Sequence, residues 1–422
     1  MQDVLESNPS SLPSHVDVAV IGAGPAGSSA AALLRRKGYQ VVVLESLRFP
    51  RFVIGESLLA RCMDNLDEAG MLDAVKERNY LVKRGALFLR GGEMADIDFS
   101  EQFTPGWSWT WQVPRADFDL TLANSAVKQG VQLYYDHKVT AIETGSPATL
   151  TVEGPGGERK LVARHVIDAS GYGRVLPRLL GLDRPSSLPT RRALFAHVRG
   201  DRRPPGALEN RIFVCIHPGG AWVWIIPFSD GVTSVGVVAD LAFFERYRGT
   251  DEEILRAALA EDPNARERLR DMELLWAPRI LQGYSAAVTR MWGPGYVMVG
   301  NATEFLDPVF SSGVTLALES ANRAAKLVAR TLEGETVDWA AEYDAYMTRG
   351  IEAFRCFVEG WYTGEFPTVL FAPNPSEVLR KQITSVLAGY VWDENNPFVR
   401  TPTRRLQQVL HIIAHAQAGE AK

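Results

Sequence analysis

The stretch Gly-Ala-Gly-Pro-Ala-Gly at residues 22–27 limits the possible folds more than any other, because of what flanks it. A β-branched run, VDVAVI (16–21), leads into it. The small-residue stretch AGSSAAALLRRKG follows with helical spacing and stops at Gly38, a helix terminator. YQVVVLE (39–45) then reads as a second buried strand, completing the β-turn-α-β unit of a dinucleotide site. Gly22 permits the tight turn, Gly24 lets a diphosphate approach the backbone, and Gly27 allows close helix–strand packing. Pro25 and Ala26 open the helix, whose free N–H groups and dipole favour the diphosphate. Glu45 ends the second strand 23 residues after Gly22, where a carboxylate takes the ribose hydroxyls. An acid there favours FAD or NAD over NADP.

Strands of the same buried type begin near 163 and 296, in HVIDASGYG and YVMVGNA. Shorter strand-like segments with glycine turns lie between 85 and 165: GALFLRGG, WSWTWQVPR, VQLYYDHKVTAIE and TLTVEG. A second set, RALFAHVRG, RIFVCIHPGGAWVWIIPF and VTSVGVVAD, spans 192–240. A charged helical stretch is expected at about 251–275 and another helix over VTLALESANRAAKLVARTL. From 336 onward the pattern is mostly helical, ending in the amphipathic RRLQQVLHIIAHAQ. The nucleotide-type strands at 16, 40, 163 and 296 therefore form one discontinuous domain with a second sheet inserted into it.

A chain of 422 residues exceeds what a single core usually serves, which agrees with two domains. Its net charge of −5 and lack of a basic run argue against nucleic acid as a partner. Cys62, Cys215 and Cys356 lie far apart with no metal-ligand spacing, so no metal site is expected and reduced thiols fit best. The opening MQDVLESNPSSLPS lacks the basic start and apolar core of a signal peptide. No run approaches the ~18 apolar residues of a membrane span, so the expectation is a soluble cytoplasmic protein.

VGNATEFLDPVFSSGVTLA (299–317) repeats the strand-turn-helix arrangement without a second GxGxxG. Flavoproteins of the aromatic-hydroxylase type carry such a segment, usually with Gly-Asp, to hold the ribityl chain and flavin ring. Here Gly300 is followed by Asn301, whose amide can still bond a hydroxyl, and Asp307 lies in the same segment. The expectation is one FAD, with electrons supplied by a separate flavin reductase.

Three further stretches, with GAGPAG, resemble the flavin-dependent halogenase family over roughly residues 15–335. FPRFVIGESL (49–58) is similar to the family's segment covering the flavin, with Gly55, Glu56 and Ser57 in the usual places. VKRGALF (82–88) resembles its Lys-x-Gly-Ala stretch, and WVWIIP (222–227) fits W-x-W-x-I-P at every fixed position, through Trp222, Trp224 and Pro227. The resemblance implies an α/β fold: a FAD-binding Rossmann-like domain of the aromatic-hydroxylase type (15–85, 110–185 and 285–335), an inserted mixed β-sheet substrate domain (86–109 and 186–284) and a helical C-terminal region (336–422). It implies that Lys83 is catalytic, directing hypohalous acid made from halide, reduced FAD and dioxygen onto an aromatic carbon. From the residues alone, Lys83 reads instead as a solvated lysine beside Arg84.

The resemblance puts the halide, chloride or bromide, near Ser312 and Gly313, where a glycine turn at a helix start offers backbone N–H groups. The same N–H groups also suit a flavin carbonyl. Tryptophan halogenases read roughly Glu-Ser-Thr-Gly here, whereas this chain reads Phe310-Ser311-Ser312-Gly313. A phenol, a pyrrole or another activated aromatic needs less help in losing its proton, so the pattern is nearer the phenol/pyrrole branch. The substrate is expected to be a small aromatic, free or carried on an acyl carrier protein. Glu304 and Glu319 read as solvent-facing positions, and His217 as a structural hydrogen-bonder. Trp107, Trp109 and Trp111 share a strand face as core, and Phe357, Trp361 and Tyr362 either cap a cavity or pack a helix.

Two other functions suit the same residues. One is a FAD-dependent aromatic hydroxylase or oxidase, reduced directly by NAD(P)H and indifferent to halide. The other is an inactive flavin-binding accessory protein of a biosynthetic complex, a reading that Asn301 keeps open.

Overall fold

The computed structural model describes residues 11–420, so the first ten residues of the polar opening stretch lie outside the described residues. Two eight-stranded sheets organise the chain. The first holds five parallel strands in the order Tyr296–Met298, Gly157–Asp168, His15–Ile21, Val41–Glu45 and Gln132–Tyr135. These strands are apolar almost throughout, as parallel strands covered on both faces are. Lys138–Glu143 and Ala148–Gly154 extend this sheet beside the long strand. The helices Pro25–Arg36 and Ser312–Leu332 pack against each other on one face.

The second sheet is mostly antiparallel, with Trp222–Pro227 near its centre between Ile212–Ile216 and Thr233–Ala239. Side chains alternate across it with the period of two that a pleated strand requires. Trp222, Trp224 and Ile226 join the large core facing the first sheet. Val223 and Ile225 join a smaller core covered by the helices Asp251–Glu261 and Pro263–Arg268. Trp224 lies opposite Gly236, where an added Cβ would stand 2.3 Å from the indole ring. The indole thus occupies space that only glycine leaves open.

The C-terminal region is mostly helical from residue 339, including Ala345–Thr363, Glu377–Leu387 and Pro402–Glu420. Three segments depart from the expected pattern. VQLYYDHKVTAIE splits into two strands at Asp136, whose φ of +59° breaks the extension. In WSWTWQVPR only Thr110–Gln112 is strand, although Trp107, Trp109 and Trp111 do stack edge to face in succession. The stretch 251–275 is two helices parted at Asp262, whose carboxylate caps the second one, followed by the short strand Glu273–Leu274. No helix among the described residues is long and apolar enough to cross a membrane.

Candidate active site

A cavity of about 750 Å³ lies between the carboxyl ends of the parallel strands and the inner face of the second sheet. Crevices at strand carboxyl ends are where open α/β sheets bind ligands. Gly22, Gly24, Pro25 and Ala26 form one end of its wall. Gly22 has φ +97°, and a Cβ there would stand 2.7 Å from the Ala169 carbonyl oxygen. Gly27 is not in the wall; its Cβ would meet the Gly22 oxygen at 1.9 Å, so its role is packing. The helix Pro25–Arg36 opens without a side-chain cap, which leaves its first N–H groups for a ligand.

Glu45, buried in the same wall, ties this turn to its strand. Its carboxylate accepts hydrogen bonds from the Ala23 N–H at 2.9 Å and the Leu47 N–H at 3.0 Å. Arg51 lines the cavity beside Gly24 and donates to Asp119 at 3.3 Å. Glycine cradle, uncapped helix start, acid and arginine together fit the diphosphate and ribose of FAD. Arg51 sits in FPRFVIGESL, but a single arginine in a loop carries no spacing signal that would have singled it out.

At the other end, Gly55, Glu56, Ser57, Gly300, Asn301, Ser311 and Gly313 line the wall, opposite Trp222 and Trp224. Asn301 holds the position expected for aspartate, and its backbone oxygen accepts from Arg174 at 3.1 Å. Ser311 adopts φ +57°, and the helix behind it opens uncapped. Gly313 faces the cavity, whereas Ser312 is buried behind the wall. Pro227, Phe310 and Asp307 also lie outside the wall. Phe310 is packed among Phe88, Phe357, Trp361 and Phe366, with ring centroids 5.3 to 6.3 Å away.

Lys83 is 1% exposed, so the solvated reading of this residue is wrong. The strand Leu81–Lys83 pairs with Thr110–Gln112, and Ser57 bridges to Gln112 on the same strand. The shared partner brings Lys83 Nζ within 2.8 Å of Ser57 Oγ and of the Leu58 carbonyl, to which it donates. The lysine therefore stands one hydrogen bond behind a cavity-lining hydroxyl. Burial pushes its pKa down from 10.5 to about 7, so both its charged and neutral forms are populated near neutrality.

Asp307 anchors the turn that precedes Ser311. It accepts from the Val309 N–H at 3.0 Å, from Tyr362 Oη at 2.8 Å and from Tyr284 Oη at 3.3 Å. Burial raises its pKa to about 6 despite these donors. Trp222 Nε1 donates to Tyr362 Oη at 3.0 Å, so the wall tryptophan, a C-terminal tyrosine and this turn form one chain of bonds. Glu304 and Glu319 are not solvent-facing. Both are buried, the first paired with Arg355 and the second with Arg61 at 3.0 Å. His217 accepts from the Gly219 N–H at 2.9 Å and bonds the Ala258 carbonyl at 3.0 Å, a structural role.

A family model described as FAD binding domain matches residues 15–353. The tryptophan 2-halogenase of Chondromyces crocatus is 32% identical over 343 residues, covering 79% of this chain and 65% of that protein, just under two thirds of its length. The 1H-pyrrole-2-carbonyl (peptidyl-carrier protein) brominase of Pseudoalteromonas luteoviolacea is 29% identical, covering 78% of this chain and 80% of that one. Among solved structures, a flavoprotein/dehydrogenase from Cytophaga hutchinsonii superposes with a TM-score of 0.93 at 49% identity, covering 96% of this chain and 100% of that one. With the cradle, the cavity and the Trp-x-Trp wall in one place, the chain belongs to the flavin-dependent halogenases, on the FAD-binding fold of the aromatic-hydroxylase type.

Proposed function

We propose that this protein halogenates an activated aromatic, a phenol or pyrrole, with hypohalous acid directed by Lys83. Bound reduced FAD and dioxygen supply the oxidant that turns halide into hypohalous acid. The observation that carries the reading is the buried lysine donating to a cavity-lining serine. As an ammonium it polarises hypohalous acid by hydrogen bonding, and as an amine it forms a haloamine; a pKa about 7 keeps both forms available. Trp222 and Trp224 wall the passage and supply no acid, base or nucleophile.

The first turn at Ser311–Gly313 holds the halide through backbone N–H groups, with Ser311 and Gly313 in the cavity wall. Phe310 supplies no carboxylate for removing the ring proton, which favours an electron-rich ring that loses it readily. The Pseudoalteromonas relative is named for a pyrrole carried on a peptidyl-carrier protein, which supports a tethered substrate here. A flavin reductase supplies the reduced cofactor, and three buried free thiols suit a cytoplasmic setting. The test supplies the enzyme with FAD, a flavin reductase, bromide and a panel of phenols and pyrroles, free and carrier-bound. Brominated product detected by mass supports the reading.

A second reading, an aromatic hydroxylase or oxidase, draws on the 49% identical flavoprotein/dehydrogenase. It calls for reduction of bound FAD by NAD(P)H, accelerated by substrate and indifferent to halide.

A further inference from the structure

Glu56 is a carboxylate in the cavity wall that is only 1% exposed. One of its oxygens, Oε1, lies 2.7 Å from His197 Nε2. The other, Oε2, is buried with no hydrogen-bond partner in the protein. A buried carboxylate oxygen without a donor is costly, so such an atom in a cavity wall calls for a donor or a proton. The backbone around Glu56 is fixed: its carbonyl accepts the Val113 N–H at 2.7 Å, and the adjacent Gly55 carbonyl accepts from Arg115 at 3.2 Å. Arg115 is in turn bound bidentately by Asp119, which offsets its charge.

His197 stands on the far side of Glu56, outside the cavity wall, with 14% of its side chain exposed. The rings of Phe52, Phe228 and Trp276 surround it. Arg279, stacked on Phe52 and Trp276, is the charged group on the outer side of this cage. The order from outside inward is therefore imidazole, carboxyl, cavity.

Resting on the halogenase reading above, we infer that Glu56 and His197 form the proton-delivery pair of this site. The oxidation consumes one proton: reduced FAD, dioxygen, halide and a proton give oxidised FAD, hypohalous acid and water. Dioxygen gains four electrons, two from the flavin and two from the halide. Ile212, Val214, Trp222, Trp224 and Ile226 make the second-sheet side of the cavity apolar, so a proton used there needs a fixed donor. Protonated Glu56 releases it from Oε2 to the reacting oxygen in the cavity. The carboxylate then takes a proton at Oε1 across the 2.7 Å bond from His197, a half-turn of the carboxyl group brings that proton to the cavity side, and the imidazole recovers one from water.

The experiment compares the full-length parent with Glu56→Gln, Glu56→Ala and His197→Gln. FAD affinity is measured by flavin fluorescence quenching, and bromination is measured with a flavin reductase and bromide. The expected result is FAD affinity within about threefold of the parent in Glu56→Gln, with brominated product down by about a hundredfold and hydrogen peroxide released in its place. Formate restores bromination to Glu56→Ala, which a purely structural role would not allow. Two results overturn the inference: Glu56→Gln brominating at the parental rate, or Glu56→Gln losing FAD affinity with no rescue of Glu56→Ala by formate. If the parent itself brominates nothing, the halogenase reading falls and the pair's role falls with it. If the parent brominates and the variants match it, only the pair is refuted.

Discussion

Lys83 is a residue the fold holds at a cost. Its pKa falls from 10.5 to about 7 because burial disfavours the charge. Between those values the unfolded chain keeps the proton and the native one does not, so stability rises with pH across that window. The penalty is full below pH 7 and fades as the pH approaches 10.5. Lys83→Met removes it: about 4 kcal/mol of relieved desolvation against about 2 kcal/mol of lost hydrogen bonds leaves a gain of about 2 kcal/mol at pH 7. Urea melts of parent and variant check this, the gap closing as pH rises and activity being absent in the variant. The sequence carried the identity of Lys83 through a motif but not its burial. That burial is created by Ser57 and Leu58, some 25 residues away and joined only through the strand at 110–112. Glu304 and Glu319 were misread for the same reason, because Arg355 and Arg61 reach them from 51 and 258 residues away. His197 was missed because one histidine in an alternating strand has no signal of its own.

At the scale of elements, the pleat decides what the tryptophans do. Trp222 and Trp224 fall on the cavity face because every second residue of Trp222–Pro227 must. This was legible, since spacing of two survives any tertiary context. What the pattern does not carry is the partner: Trp224 fits because Gly236 lies across from it, and Trp224 Nε1 donates to Ser234 Oγ at 3.0 Å. Gly236→Ala forces the indole out of its place. We predict a loss of about 1–3 kcal/mol in stability and weaker FAD binding, read by thermal melts and flavin fluorescence. Strand ends were less legible than strand interiors. Asp136, by its φ of +59°, and Asp262, by accepting the backbone N–H groups of Asn264 and Ala265, each interrupt a run whose periodicity continues past them, and both are local events.

Across the whole molecule, the site is braced by parts that are distant in sequence. Trp222 from the second sheet, Asp307 from the turn before the long helix and Tyr362 from the C-terminal helices meet in one hydrogen-bonded chain. Arg191 stacks on the Tyr362 ring, 3.7 Å from its centroid. Tyr362→Phe removes one donor to Asp307 and one acceptor for Trp222, and both groups are buried. The expected cost is about 2 kcal/mol in stability, with a raised KM for bromide because Asp307 anchors the turn leading to Gly313. An unchanged bromide KM would detach that turn from halide binding. The two-sheet plan was readable from strand spacing and glycine turns. How the C-terminal helices brace the wall through Tyr362 was not, because helical periodicity shows a buried face without showing what it covers.

The central claim is that Lys83 directs an oxidised halide onto an aromatic ring. Its most direct test is bromination by Lys83→Ala beside the parent, with flavin reductase, bromide and the best substrate of the panel. The account predicts that the variant binds FAD, consumes dioxygen and releases hypobromite that a soluble trap intercepts, while brominated aromatic falls below detection. Aromatic bromination by Lys83→Ala at the parental rate would contradict it.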